Sequence, residues 1–149
     1  METAYVVSQE LGGRRMRIRQ LVNGTARVCG RSTTLEEAAG LMIEEETGSL
    51  GVVEGTKLAG IITERDILRA AARSADFITG TVAEWMTPDP DTVGPNIPVD
   101  EVAQWMLAAG YRHLPVVEGS ELLGIASIKD VLWALHSISI EPPPPDQAL

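Results

Sequence analysis

The chain contains an internal repeat whose two copies are offset by 64 residues, as the motif GIITERD at 60–66 and GIASIKD at 124–130 show. The longer segments at 50–68 and 114–132 align without an insertion or deletion. Upstream of them, apolar residues spaced i, i+3, i+4 and i+7 predict an amphipathic helix in each copy at the same offset. A duplication of this extent constrains the fold strongly, because both copies must adopt one structure.

Each copy predicts the element order β-α-β-β-α. A short strand is expected near 26–29 in the first copy and near 92–93 in the second, followed by a helix, two strands joined by a glycine-containing turn, and a second helix. A three-stranded sheet with helices on one face leaves apolar surface uncovered, and an equal copy can cover it. We therefore predict an α+β fold in which the two repeats pack about a pseudo-twofold axis.

The repeat boundaries predict the organisation of the whole chain. We expect an N-terminal segment at 1–17, a first repeat at 18–75, a second repeat at 80–138 and a flexible tail at 139–149. The tail is expected to be extended because it contains a run of four prolines.

Composition narrows the classes of partner. The formal net charge of −9 argues against nucleic-acid binding, which needs a positive surface to displace counterions from phosphates. No apolar run is long enough to span a membrane, and no secretory leader is visible, so we expect a cytoplasmic protein that binds neither membrane nor nucleic acid. Cys29 is the only cysteine, which excludes an internal disulfide and a cysteine-rich metal site and favours a buried, inert thiol.

The repeated motif places a hydroxyl and a carboxylate three residues apart where a strand turns into a helix. These pairs are Thr63 with Asp66 and Ser127 with Asp130. Such a carboxylate can accept hydrogen bonds from the two ribose hydroxyls of a nucleotide, and free N–H groups at a helix start attract phosphate. The same spacing also forms a capping box that needs no ligand, and the two roles are compatible.

Neighbouring residues could complete a nucleotide site. Arg65 and Lys129 each precede the aspartate, so their charge can offset the repulsion between carboxylate and phosphate. The apolar residues Val53, Ile61 and Ile62 are predicted to form a slot for a flat base.

The doubled pattern resembles a tandem pair of cystathionine-β-synthase (CBS) domains. The resemblance is carried by VAEWMTPDPDTVGPNIPVDEVAQWM, YRHLPVVEG and LLGIASIKD in the second repeat, together with the gapless first copy. It implies clefts between the copies that bind adenosine-containing ligands such as AMP, ADP, ATP or S-adenosylmethionine, and it implies dimerisation. It also implies that Arg112, beside His113, contacts phosphate or a partner chain. The first repeat has Gly48 and Ser49 at these positions, so the two clefts are not expected to be equivalent.

The predicted function is a regulatory module that senses an adenine nucleotide of the AMP, ADP or ATP class in the cleft between the repeats. The alternative is a dimerisation or partner-docking module with no bound nucleotide. No catalytic residues, metal ligands or required cofactor are predicted, because no nucleophile–base set or ligand cluster is visible. The expected partners are the nucleotide, a second copy of the chain, for which Trp133 is a candidate contact, and an effector protein.

Overall fold

The structure is a computed structural model that describes residues 16–22 and 26–139. Most of the predicted N-terminal segment at 1–17, and the tail at 139–149 beyond its first residue, lie outside the described residues.

The first repeat follows the predicted element order β-α-β-β-α, and the second follows it from its first long helix onward but differs at its start. The first repeat contains β1 (Val28–Cys29), α1 (Leu35–Glu44), β2 (Ser49–Glu54), β3 (Lys57–Thr63) and α2 (Glu64–Ala72). The second contains α3 (Val82–Trp85), β4 (Thr87–Pro88), α4 (Val99–Ala109), β5 (His113–Glu118), β6 (Glu121–Ser127) and α5 (Ile128–Ser139). The strand expected near 92–93 is reduced to one parallel bridge, between Val93 and Val116.

The two repeats share one sheet with the strand order β1-β2-β3-β6-β5, and β4 pairs with β3. Strands β2 and β3 form an antiparallel hairpin, as do β5 and β6. The hairpins meet where Lys57 of β3 pairs with Glu121 of β6. These two residues are equivalent under the 64-residue offset, as a pseudo-twofold axis between the repeats requires. The predicted α+β class and pseudo-twofold packing are therefore confirmed.

Two hydrophobic cores hold the fold together, and each includes a residue from the start of the other repeat. Val82 packs in the core of the first repeat with Leu35 and Ile62. Ile18, its equivalent, packs in the core of the second repeat with Met106. Ile18 and Val82 are fully buried, and burying such a side chain stabilises a fold by about 1.5–3 kcal/mol. Because each core contains a side chain from the other repeat, the stability of each repeat depends on the other.

Residues 18–22 and 82–88, which begin each repeat and cross to the core of the other, are called the crossing segments. Their close packing explains why the repeated motif begins with glycine. A Cβ atom on Gly60 would lie 2.8 Å from the backbone oxygen of Thr87 and 2.7 Å from the sulfur of Met86. A Cβ atom on Gly124 would lie 2.7 Å from the Cβ of Val22, which is equivalent to Met86. Only glycine allows the crossing segment to pack this closely on the strand.

Candidate functional site

A cleft of about 530 Å³ lies between the two repeats. One wall comes from the first repeat and contains residues 45–49 and Glu64. The opposite wall comes from the second repeat and contains Arg112, His113 and residues 127–130, while Leu21, Val22 and Ile125 contribute apolar surface. This volume is in the range of sites for small ligands.

The second copy of the motif leaves its carboxylate open to this cleft. The Ser127 hydroxyl accepts a hydrogen bond from the Asp130 backbone N–H at 3.1 Å, which caps α5. The Asp130 carboxylate is exposed and accepts no hydrogen bond within the described part of the chain. Both of its oxygens are available to a ligand.

In the first copy of the motif, the carboxylate already accepts hydrogen bonds from neighbouring residues. Asp66 accepts hydrogen bonds from the Thr63 backbone N–H at 2.9 Å and the Thr63 hydroxyl at 3.1 Å. Arg69 donates a third, at 3.0 Å, to the other carboxylate oxygen. Asp66 is only 6% exposed. The acid therefore serves as a structural cap and ion-pair partner of its own helix.

The structure brings together the predicted site residues of the second repeat and separates them from those of the first. The cleft is lined by Arg112, His113, Ser127, Lys129 and Asp130. The residues outside its lining are Val53, Ile61, Ile62, Thr63, Arg65 and Asp66. Ile61 and Ile62 are buried, so the predicted apolar slot does not belong to this cleft.

Several charged residues of the cleft were missed by the sequence reasoning. Glu45, Glu46 and Glu64 of the first repeat line it, as does Arg27. The 64-residue offset could have identified the segment at 45–49, because it aligns Gly48 and Ser49 with the predicted site residues Arg112 and His113. In the structure, residues 45–49 of the first repeat line the same cleft as residues 127–130 of the second.

The charges of the cleft are partly paired. The Arg27 Nε donates to the Glu45 carboxylate at 2.9 Å, and both side chains are about half exposed. Arg112 and Lys129 form no ion pair within residues 16–22 and 26–139. Two cations thus line the same cleft as the open carboxylate of Asp130, and such side chains can form charge-assisted hydrogen bonds with a phosphate.

His113 lies at the boundary between the repeats. Its Nε2 would be 3.3 Å from a Cβ atom on Gly48, so a glycine at that position leaves room for the imidazole. Burial lowers the pKa of His113 below its usual value near 6.5, and Arg112 lowers it further, while Glu64 and Asp130 act in the opposite direction. The net lowering of the His113 pKa favours the neutral imidazole at neutral pH.

No group of three or more His, Cys, Asp or Glu side chains in 16–22 and 26–139 could hold a metal ion. No helix in that part of the chain is long and apolar enough to cross a bilayer. Burial raises the pKa of Cys29 to about 11, as expected for an inert thiol.

Exposed apolar side chains occur on the helices of the two repeats at equivalent positions. Ile43 of α1 is 82% exposed, and its equivalent in α4, Leu107, is also exposed. Leu68 of α2 and Leu132 of α5 form a second equivalent pair, next to Trp133, which is 70% exposed. We refer to these residues as the apolar helix surface.

Comparison with known proteins agrees with the duplicated fold. The CBS domain model matches the chain twice, at residues 18–73 and 82–137. The CBS domain-containing protein YhcV of Bacillus subtilis is 36% identical over 109 residues, which cover 72% of this chain and 76% of that protein. The chain therefore belongs to the CBS-domain family, as a tandem pair of CBS domains.

Two solved structures show the same fold with ligands. The CBS domain protein PAE2072 of Pyrobaculum aerophilum, complexed with AMP, is 26% identical with a TM-score of 0.73, over 82% of this chain and 99% of that one. The CBS domain pair of protein MJ0100, in complex with 5′-methylthioadenosine and S-adenosyl-L-methionine, is 26% identical with a TM-score of 0.76. That alignment covers 83% of this chain and 98% of the other.

Proposed function

We propose that the protein is a regulatory module that binds an adenosine-containing nucleotide of the AMP, ADP or ATP class in the cleft between its repeats. The observation that carries this proposal is the carboxylate of Asp130, which is open to the cleft beside Ser127, Arg112 and Lys129, two cations that form no ion pair among the described residues. The AMP bound to PAE2072 and the adenosyl ligands bound to MJ0100 support an adenosine-containing ligand.

Each side of the nucleotide has a candidate partner. Asp130 accepts hydrogen bonds from the ribose hydroxyls, and Lys129 and Arg112 offset the charge of the phosphate. Ile125 and Val22 provide apolar surface for the base. Thr63 and Asp66 of the first repeat already hydrogen-bond each other, so the ligand is assigned to the second copy of the motif.

Regulation follows from the position of the cleft. A ligand that contacts both walls stabilises the relative orientation of the repeats in which both walls fit it. That orientation can be transmitted to an effector protein or to a second copy of the chain. We propose no catalytic step and no required cofactor, since the proposed role of each cleft residue is to bind rather than to react.

We also propose that the chain forms a homodimer through the apolar helix surface. Water contact with several large apolar side chains is unfavourable, and patches of this kind commonly mark protein interfaces. Because Ile43 and Leu107 are equivalent, as are Leu68 and Leu132, the surface itself has pseudo-twofold symmetry. This suits an interface that buries the same face of both copies. A dimer that binds no nucleotide is the competing account of the protein.

Thermal unfolding with a panel of ligands tests the binding proposal. AMP, ADP, ATP and S-adenosylmethionine are each added to the protein, with GTP as the control for the base. An adenosyl ligand present at one hundred times its Kd should add about 2.7 kcal/mol to the free energy of unfolding and raise the Tm by about 5–10 °C. If none of these adenosyl ligands moves the Tm, the proposal fails and the docking module becomes the better account.

A further inference from the structure

We infer that the cleft selects adenosyl ligands that carry no more than one phosphate, and that Glu64 is the main residue that rejects longer phosphate chains. This inference rests on the proposed function and narrows its ligand class.

The charges that line the cleft are the basis of the inference. Its cations are Arg27, Arg112 and Lys129, and its carboxylates belong to Glu45, Glu46, Glu64 and Asp130. Arg27 and Glu45 form an ion pair, so their charges offset each other. Arg112 and Lys129 remain, and together they match the two negative charges of a single phosphate.

The other charged residues described in the cleft lining provide no further positive charge to offset a second or third phosphate. Asp130 is assigned to the ribose, while Glu46 and Glu64 lie on the wall of the first repeat, opposite Arg112 and Lys129. Neither glutamate forms an ion pair within the described residues. Among the described residues, no further cation of the lining is left for a phosphate beyond the first, which would lie between the two walls with uncompensated carboxylates nearby.

Glu64 is the more informative of the two glutamates. It is the first residue of α2, and the 64-residue offset aligns it with Ile128, so its charge belongs to the first repeat alone. Its carboxylate lies beside Gly48, close to His113 of the opposite wall. The neutral imidazole favoured at that position supplies no positive charge to offset it.

The expected size of the effect follows from Coulomb interaction in a partly solvated cleft. One uncompensated carboxylate should weaken the binding of an added phosphate by about five- to tenfold at low salt. The penalty should shrink as ionic strength rises, because salt screens exposed charges. AMP should therefore bind at least about tenfold more tightly than ATP at low salt.

Calorimetric titration of the full chain tests the inference. AMP, ADP, magnesium-free ATP and 5′-methylthioadenosine are titrated into the wild type, Glu64→Gln and Glu46→Gln at low and high salt. Glu44→Gln, which changes an exposed glutamate of α1 outside the cleft lining, is the matched control. We expect Glu64→Gln to tighten ATP binding about five- to tenfold, to change AMP binding less than about twofold, and to do so mainly at low salt.

The outcomes separate the inference from the proposed function. If wild-type protein binds ATP as tightly as AMP, or if Glu64→Gln changes both ligands equally or neither, the selectivity is overturned while nucleotide binding stands. If none of these ligands binds, 5′-methylthioadenosine included, the proposed function is overturned and the selectivity falls with it.

Discussion

The Arg69 guanidinium lies 3.0 Å from the carboxylate of Asp66, whereas the equivalent position beside Asp130 is occupied by Trp133. Tryptophan cannot form an ion pair with a carboxylate, so the same motif has two different states in one chain. In the first repeat the acid is buried and saturated, and in the second it is exposed and open. This difference supports a structural role for the first copy and the proposed binding role for the second.

Removal of Asp66 should destabilise the protein more than removal of Asp130. Asp66→Ala deletes a helix cap and an ion-pair partner, and we expect a loss of about 1–2 kcal/mol, because Arg69 remains half exposed and can be solvated. Asp130→Ala should cost less than about 0.5 kcal/mol, as for an exposed side chain without hydrogen bonds. Urea unfolding of both variants measures the difference. Equal losses would contradict the separate roles.

An alanine at either motif glycine should disturb the packing of the crossing segments. Gly60→Ala and Gly124→Ala each place a methyl group within 3.0 Å of neighbouring atoms, and such overpacking costs about 1–3 kcal/mol. Gly40→Ala is the matched control, because Gly40 lies within α1 with nothing within 4 Å of its added Cβ atom. Its substitution should be neutral or stabilising by up to about 1 kcal/mol. Tm values that are unchanged in all three variants would show that the close approach is unimportant.

His113 should make stability depend on pH near neutrality. Its folded pKa lies below the usual value, so the unfolded chain takes up a proton first as the pH falls through about 6.5. The free energy of unfolding should therefore be highest above pH 6.5 and should fall as the pH drops toward the folded pKa. The variant His113→Gln should lose this component, which urea unfolding at pH 7.5 and 5.5 measures.

Charged residues surround His113, so the control for this experiment is a substitution at an exposed histidine elsewhere. Glu64 and Asp130 face it with negative charge and Arg112 with positive charge. His136→Gln, at the exposed histidine that contacts Trp133, tests for a general effect of losing an imidazole. If His113→Gln retains the pH dependence of the wild type, His113 is not its source.

Substitutions on the apolar helix surface should weaken self-association without unfolding the monomer. Leu68→Ser and Trp133→Ser remove exposed apolar area, so we expect the dimer Kd to rise about tenfold or more with little change in Tm measured on dilute protein. Sedimentation velocity over a concentration series measures this. Ile78→Ser is the matched control, since Ile78 is exposed in the segment between the repeats. A wild type that stays monomeric near 100 μM, well above the Kd of stable dimers, would refute the interface.

Much of the fold could be predicted from the sequence, because both copies of the repeat contain the same pattern of residues. The 64-residue register predicted equivalent elements, and the structure places Lys57 against Glu121 as that symmetry requires. The crossing of Ile18 and Val82 into opposite cores was not predicted, because side-chain periodicity identifies a buried face without identifying its partner.

The site was predicted in part for a similar reason. The motif identified Ser127 and Asp130, which line the cleft, but it gave equal weight to Asp66, whose role is decided by Arg69. The residue three positions after the acid was the available signal, since arginine there can saturate the carboxylate and tryptophan cannot. Glu64 was missed because its position in the cleft depends on how the repeats face each other.

The most direct test of the central claim is the stoichiometry of AMP binding measured by calorimetry. We expect one site per chain, retained within about threefold in Asp66→Ala and weakened by about thirtyfold or more in Asp130→Ala, the loss expected when two charge-assisted hydrogen bonds are removed. Two equivalent sites per chain, or binding lost in Asp66→Ala and kept in Asp130→Ala, would contradict the assignment of the ligand to the cleft of Asp130.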